Sequence, residues 1–168
     1  MDHRRIIFLK RRICVQLNIT TDYAIRSVLF LALRDEIVKS QEIANYANSS
    51  PNYIFKILRK LVDAGYVKEH RGVKGGYKLI VSPAQLTLWD IIELMEPKTH
   101  INRCVEDSEF CFRSKSERCR VHAIYLDLQN RIENFFKSYS IQRIIDEQAQ
   151  VSVEFIEEVT KISVKACS

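Results

Sequence analysis

The chain has 168 residues, of which 46% are hydrophobic and 28% are charged, and its formal net charge is +5. This length fits one compact domain with an appended element or two small domains, and the composition excludes wholesale disorder. The longest apolar stretch, at residues 28–33 with its flanks, falls far short of a membrane span.

The charge is distributed unevenly along the chain. Residues 1–83 carry a net +8 and residues 84–168 a net −3. This asymmetry suggests that the first half meets a polyanion, although a merely solvated surface would also explain it. Residues 1–14 are basic, but their apolar patch is too short for a signal peptide. We therefore expect a cytoplasmic protein in which 1–14 either touches DNA or reflects a start site assigned too early.

The first half predicts three helices in succession. Residues 20–22 are typical of a helix start, and Ser40 can cap a short second helix. Pro51 suits the first position of a third helix, which Gly65 ends. The apolar stripe of the third helix recurs at intervals of three and four and comprises Ile54, Ile57, Leu58, Leu61 and Val62.

A β-hairpin follows the third helix. Residues 66–71 and 77–81 are strand-like, and the glycine-rich run 72–76 predicts the turn between them. Three helices followed by a hairpin is the element order of a winged helix-turn-helix.

The second half predicts one short and one long helix around an irregular segment. Thr87 and Asp90 indicate a capping box for a helix that Pro97 ends. Periodicity is absent over residues 98–118, and a long helix starts near Cys119. Its apolar residues have the spacing of a coiled-coil seam and are Val121, Tyr125, Leu128, Ile132, Phe135 and Tyr139.

These patterns predict a mainly α fold with a small β-hairpin, in which a winged helix-turn-helix domain is joined to a long dimerisation helix. The expected divisions are an N-terminal extension (1–14), the winged helix-turn-helix domain (15–97), a cysteine-bearing loop (98–120), a dimerisation helix region (121–147) and a C-terminal tail (148–168).

The third helix and the hairpin are the candidate DNA-binding elements. A helix-turn-helix offers polar side chains from its second helix to base edges, while basic groups meet the phosphates. Taken singly, Lys60 and Lys78 are better explained as solvated charges, but the whole constellation favours double-stranded DNA. The candidate DNA-binding residues are Ser50, Asn52, Tyr53, Lys56, Arg59, Arg71, Lys74, Gly75 and Gly76.

Four segments resemble the IscR/NsrR group of bacterial repressors, the Rrf2 family, namely LNITTDYAIRSVLFLA, SQEIANYANSSPNYIFKILRKLVDAGYV, RGVKGGYKL and TLWDIIELME. The similarity runs from about residue 15 to about residue 147. It implies a homodimer joined by the long helix, a palindromic promoter site, and a cofactor that many members carry, an iron–sulfur cluster between the winged domain and that helix.

Three of the five cysteines, Cys104, Cys111 and Cys119, fall within sixteen residues. Thiolates are soft ligands that favour zinc, copper(I) or iron–sulfur clusters, so this spacing predicts a metal site. The other two, Cys14 and Cys167, lie near the termini and are taken as incidental. Family members commonly space their cysteines more tightly, which leaves a 2Fe-2S and a 4Fe-4S cluster both open.

The fourth ligand has three candidates. His122 follows Cys119 by three residues and would share a helical face with it, so it is our first choice. The resemblance implies Asp22 of the partner subunit as an alternative, although this residue also suits helix capping. His100 is a weaker candidate.

We expect a DNA-binding transcriptional regulator, a repressor whose promoter affinity follows the state of the cluster in response to iron, redox state or nitric oxide. The alternative is a winged-helix regulator with a structural zinc site or free reactive thiols and no cluster. An enzyme is not expected, because the sequence offers no nucleophile–base pair and no phosphate-binding loop before a helix.

Overall fold

The computed structural model describes residues 17–107 and 119–147. Cys14, Cys111 and Cys167 lie outside the described residues, as do the predicted N-terminal extension and C-terminal tail. In chain order the elements are α1 (Ile19–Arg34), α2 (Ser40–Ala47), α3 (Pro51–Asp63), β1 (Val67–His70), β2 (Gly76–Leu79), α4 (Leu88–Met95), α5 (Arg103–Glu106), α6 (Arg120–Lys137) and α7 (Ile141–Glu147). This order confirms the predicted mainly α fold with a small β-hairpin.

Helix α1 begins slightly before the predicted start at residues 20–22. The N-cap is Asn18, whose side-chain oxygen accepts a hydrogen bond from the Thr20 backbone N–H at 3.1 Å. Thr21 is fully buried, and its hydroxyl donates to Glu96 Oε1 at 2.6 Å. Several polar residues in a row can all serve as caps. The sequence pattern therefore located the helix but not its capping residue.

The starts of α2 and α3 differ in how they are capped. Ser40 was predicted to cap α2, but it is the first helical residue, and Lys39 occupies the N-cap position without a side-chain hydrogen bond. Ser50 caps α3, because its hydroxyl accepts from the Tyr53 backbone N–H at 3.3 Å. Pro51 occupies the first turn of α3, as predicted.

The inner stripe of α3 packs into the core. Four of its five predicted residues are buried, and the fifth, Val62, is half-buried against the same core. Gly65 follows the helix with a φ of 77°, a left-handed conformation that glycine adopts without steric cost. The turn between α2 and α3 and the apolar inner face of α3 together fix the helix with its opposite face outward.

The hairpin, which we call the wing, has backbone hydrogen bonds on both sides of β2. Strands β1 and β2 pair antiparallel, with Val67 opposite Leu79. On the outer side of β2, Val38 and Tyr77 exchange two backbone hydrogen bonds of 2.9 and 2.8 Å. A β-carbon at Gly76 would overlap the Val38 carbonyl oxygen. The wing is therefore fixed to the connection between α1 and α2.

Helix α4 carries the predicted capping box. The Asp90 backbone N–H donates to Thr87 Oγ1 at 3.3 Å, and the Thr87 backbone N–H donates to Asp90 Oδ2 at 2.7 Å. The helix ends at Met95, two residues before Pro97. This local prediction is confirmed because both partners of a capping box lie within one turn.

Helix α6 begins directly after Cys119, as predicted, and is 18 residues long. Its seam of apolar residues is largely uncovered in the single chain, since Val121, Leu128 and Phe135 are 53%, 45% and 47% exposed. Within the described residues, no helix has the length and apolarity that crossing a bilayer requires.

Helix α7 brings the chain back to the winged domain, where it packs against α1. Ile141 is fully buried in the same hydrophobic cluster as the residues of α1 and α3. Two backbone hydrogen bonds of 2.9 Å, from Leu88 to Tyr139 and from Ile141 to Leu86, join the start of α4 to the start of α7. The end of α6 is thereby fixed beside α4.

Candidate nucleic-acid interface and cysteine segment

The outer face of α3 is polar and basic. Asn52, Lys56, Arg59 and Lys60 are all exposed, because the opposite face of the helix is buried in the core. Carboxamide and cationic side chains on an exposed helix suit contacts with base edges and phosphates. The structure therefore places three predicted DNA-binding residues, Asn52, Lys56 and Arg59, on one accessible surface together with Lys60.

Tyr53 has a different environment from its neighbours on α3. Its hydroxyl lies 2.5 Å from Thr20 Oγ1, and its ring meets the Tyr23 ring edge-on with centroids 5.7 Å apart. The side chain is half-buried between α1 and α3. This geometry favours a bracing role for Tyr53 in the orientation of α3.

The wing presents basic side chains at its tip. Arg71 and Lys74 are exposed there, and Val73 between them is 99% exposed. Gly75, also a candidate DNA-binding residue, has an internal reason to be glycine, since a β-carbon there would overlap the His70 carbonyl oxygen. Lys78 faces the other way, where its amino group donates to the Asp35 backbone oxygen at 2.9 Å.

A groove of about 470 Å³ separates α3 and the start of α2 from the wing. Its lining residues include Lys39, Gln41, Phe55, Arg71 and Gly72. Phe55 was not among the sequence candidates, although its spacing from Asn52 and Arg59 places it on the same outer face. An apolar residue on the polar side of an amphipathic helix is the signal that would have identified it.

The two described cysteines lie near the contact between α5 and α6. Cys104 is in α5, Cys119 is the N-cap residue of α6, and both are half-buried free thiols. Cys111 belongs to the segment outside the described residues. His122, on the first turn of α6, has a buried Nδ1 with no hydrogen-bond partner within the described residues.

The predicted ligands that the structure describes do not by themselves form a metal site. In the ranges 17–107 and 119–147 no three histidine, cysteine, aspartate or glutamate side chains are close enough to hold an ion. Asp22 is paired with Arg26 on its own helix, at 2.9 Å. His100 is exposed. The pKa of Glu133 lies below its usual value, mainly because Lys137 and Gln129 donate hydrogen bonds to its carboxylate, and His100 makes a smaller electrostatic contribution.

Gln129, on α6, binds the backbone of the segment that precedes Cys104. It is 2% exposed, its Oε1 accepts from the Ile101 backbone N–H at 3.0 Å, and its Nε2 donates to the Thr99 carbonyl oxygen at 3.2 Å. The same amide nitrogen donates to Glu133 Oε1 at 3.0 Å. The backbone just ahead of Cys104 is thus fixed to the helix that begins after Cys119. No sequence spacing identifies Gln129, because its loop partners are backbone groups.

A chain of hydrogen bonds links the end of α4 to the first turn of α3. Glu96 Oε1 accepts from the Asn18 backbone N–H at 2.7 Å and from the Thr21 hydroxyl at 2.6 Å. The Thr20 hydroxyl donates to the Asn18 side chain at 3.1 Å and lies beside the Tyr53 hydroxyl. The residue before Pro97 is therefore connected, through the start of α1, to the exposed helix α3.

Comparisons with known proteins agree with this geometry. A family model for Rrf2, described as an iron-dependent transcriptional regulator, matches residues 17–147. A provisionally named HTH-type transcriptional regulator of Aquifex aeolicus is 32% identical over 128 residues, covering 76% of this chain and 89% of that protein. The structure of T. potens IscR matches with a TM-score of 0.65 at 20% identity, covering 85% of this chain and 96% of that chain. CymR, the global cysteine regulator of B. subtilis, matches with a TM-score of 0.65 at 22% identity, covering 78% and 96%.

Proposed function

Because the chain belongs to the Rrf2 family of DNA-binding transcriptional regulators, which are not enzymes, we propose that it is a homodimeric repressor controlled by an iron–sulfur cluster. The proposed ligands are Cys104, Cys111, Cys119 and His122. The observation that carries the proposal is the buried Nδ1 of His122, which has no hydrogen-bond partner among the described residues and lies in the first turn of α6, three residues after Cys119.

DNA is contacted in this proposal by the outer face of α3 and by the wing. Asn52 and Lys56 meet base edges in the major groove, while Arg59, Arg71 and Lys74 meet phosphates. The candidates with other local roles contribute indirectly. Ser50 and Tyr53 hold α3 in position, and the two glycines, Gly75 and Gly76, shape the wing.

The dimer forms through α6. Its seam exposes Val121, Leu128 and Phe135 in a single copy, and a second copy of the same seam would cover them. Two copies related by a two-fold axis would present two α3 helices to half-sites about 34 Å apart on one face of the duplex. A palindromic promoter site follows from that symmetry.

The donor set fits an iron–sulfur cluster chemically. Thiolates and imidazole nitrogen are the protein ligands that such clusters use, and a buried ring nitrogen without a partner costs about 1–3 kcal/mol unless something satisfies it. A bound cluster would supply a link among α5, α6 and the segment between them that is sensitive to iron supply and oxidants.

The chain's own contacts provide a route from this link to DNA. Gln129 ties the backbone before Cys104 to α6, and Glu96 ties the end of α4 to the start of α1. From there the contact between Thr20 and Tyr53 reaches α3. A shift of the cysteine segment would change the separation of the two α3 helices, and a coupling of about 1–3 kcal/mol changes DNA affinity from several-fold to about a hundredfold.

The test begins with the full-length protein purified without air. We expect visible absorbance with bound iron and sulfide, and a duplex affinity that changes when the protein is exposed to oxidant. The triple variant Cys104→Ala, Cys111→Ala, Cys119→Ala should be colourless and lose this response. The double variant Cys14→Ala, Cys167→Ala is the matched control and should keep both.

Two further variants assign the fourth ligand in the same experiment. His122→Ala should alter the absorbance spectrum and lower the iron content, whereas Asp22→Ala should leave both unchanged. A triple cysteine variant that keeps its colour and its response would contradict the proposal. In vitro transcription from a bound promoter tests repression, which requires that transcript yield falls as protein is added.

A second candidate function keeps the same DNA-binding surface without a cluster. It is supported by the half-buried free thiols of Cys104 and Cys119. In that case the cysteines would hold a structural zinc ion or act as free reactive thiols. Anaerobically purified protein would then be colourless, with either one zinc per chain or no metal.

A further inference from the structure

Phe55 is a large apolar side chain on the polar face of α3. It is 48% exposed and is not among the residues packed against the hydrophobic core. Within the described part of the chain, no aromatic ring stacks on it, although several other rings pair with each other. The fold therefore gives Phe55 no packing role that explains a phenyl ring at this position.

The residues around Phe55 indicate which kind of binding partner would contact it. Asn52, Lys56 and Arg59 lie on the same helical face at spacings of three, one and four residues, and all are exposed. Across the groove, Arg71 of the wing lines the same space. Lys39, Arg59 and Arg71 outnumber the two carboxylates that line the same space, Asp63 and Glu69, and a surface with a positive balance is complementary to a nucleic-acid duplex. Cationic side chains directly beside a single apolar residue favour a polyanion over a protein partner, because charged residues are depleted at the centre of protein interfaces.

A duplex major groove offers one kind of apolar group to such a side chain. Base edges there present hydrogen-bond donors and acceptors, with the 5-methyl group of thymine as the exception, and phenylalanine is a known partner for that methyl. Asn52 and Lys56 supply polar contacts on either side of Phe55. The combination suits a helix that distinguishes thymine from cytosine at one base pair.

We propose that Phe55 is a specificity-determining residue that contacts the 5-methyl group of a thymine in the major groove. This inference rests on the proposed docking of α3 on DNA. It is independent of the metal site, since none of its supporting residues lies in the cysteine segment.

The experiment uses full-length protein and duplexes selected from a random pool. Each thymine of the selected site is then replaced by uracil, which removes only the methyl group, and affinity is measured by fluorescence anisotropy. At one thymine per half-site we expect an affinity loss of about fourfold, the effect of burying one methyl-sized group. The Phe55→Ala protein should bind the duplex with thymine at that position and the duplex with uracil there with equal affinity.

Val73→Ala is the matched control, because it also removes an exposed apolar side chain from the proposed DNA surface. It should keep the fourfold difference between thymine and uracil. Phe55→Ala should also keep the wild-type salt dependence, since no phosphate contact is lost, whereas Arg59→Ala should reduce it.

Two results would overturn the inference alone while DNA binding stands. One is a wild-type protein that binds every uracil duplex as tightly as the thymine duplex. The other is a Phe55→Ala protein that retains the methyl dependence. A random pool from which no duplex is enriched would overturn both the DNA-reading assignment of α3 and this inference, and the absence of binding distinguishes that case.

Discussion

Gln129 shows what a single buried amide does on a helix whose surface is otherwise mostly exposed. Its oxygen and nitrogen satisfy the Ile101 N–H and the Thr99 carbonyl, two backbone groups of a segment without regular structure. Irregular backbone next to a helix needs such partners when it is withdrawn from water. Gln129 therefore holds the backbone before Cys104 against α6.

Replacing Gln129 by leucine should destabilise the protein. The substitution keeps the volume of the side chain but leaves the Ile101 N–H and the Thr99 carbonyl without partners, so we expect the free energy of unfolding to fall by about 1–3 kcal/mol. Urea denaturation measures the difference. The control is Gln41→Leu, which removes an exposed glutamine that bonds the Asn45 side chain, and it should change stability by less than about 0.5 kcal/mol. Equal effects of the two substitutions would argue against the role given to Gln129.

Residue-level functions were only partly predictable from the sequence. The outward position of Asn52, Lys56 and Arg59 follows from the apolar period of α3. The contact of Lys78 with Asp35 does not, because the two residues come from distant parts of the chain. The structure also supplies an internal reason for Gly76, a close approach of the Val38 backbone, that the sequence did not reveal.

At the scale of secondary-structure elements, the two helices of the helix-turn-helix begin differently. Both have a serine near the start, but only the hydroxyl of Ser50 accepts a backbone hydrogen bond. Ser40 is the first residue of its helix, and the N-cap residue before it, Lys39, makes no side-chain hydrogen bond. A sequence pattern scores the two serines alike, whereas the backbone conformation makes one a cap and the other an ordinary first-turn residue.

This difference predicts unequal effects of the same substitution. Ser50→Ala should lower the free energy of unfolding by about 0.5–2 kcal/mol through loss of the cap. Ser40→Ala removes no cap, and it should change stability by no more than about 0.5 kcal/mol. Thermal denaturation of the two variants beside the wild-type protein provides the comparison, and a larger loss for Ser40→Ala would show that α2 is capped after all.

Elements defined by local signals were the most predictable. The capping box of Thr87 and Asp90, the turn at Gly65 and the start of α6 after Cys119 are each set by residues within one or two turns of one another. Helix α5 was not predicted, since its four residues have no apolar period. The periodicity of a helix cannot be recognised in a single turn.

At the scale of the whole molecule, the uncovered seam of α6 is the main feature that one copy of the chain leaves unexplained. Its members Val121, Leu128 and Phe135 are exposed, and so is Ile124, which lies outside the predicted seam. The seam was predicted from its spacing of three and four residues, whereas its accessibility in a single copy is a finding of the structure. Exposed apolar side chains in this number are typical of an interface.

A charge placed in the seam should weaken the proposed dimer. For Leu128→Glu we expect the dimer dissociation constant to rise at least about tenfold, because burying an unpaired carboxylate is unfavourable. Sedimentation velocity over a concentration series measures it. Asn130→Glu adds the same charge at an exposed position outside the seam and should leave the dimer intact. Unchanged association of Leu128→Glu would exclude α6 as the interface.

The return of α7 was beyond prediction from the sequence. The apolar residues Ile141, Ile144 and Ile145 indicate a short helix but not which surface it packs against. Their contact with α1 joins parts of the chain that are more than a hundred residues apart, as judged from the bounds of α1 and α7. Only the folded core determines that contact.

The backbone pairing between Thr87 and Ser140 has a consequence for how this protein can be divided. It makes the intervening chain, with the cysteines and the long helix, an insertion anchored at both ends. A helix attached at both ends can transmit a rotation to the winged domain, whereas a helix attached at one end would rotate independently of that domain. A chimera that joins residues 15–97 to a foreign dimerisation domain would lack Ile141, which is fully buried. Its winged domain would then contain a cavity at the position of that side chain.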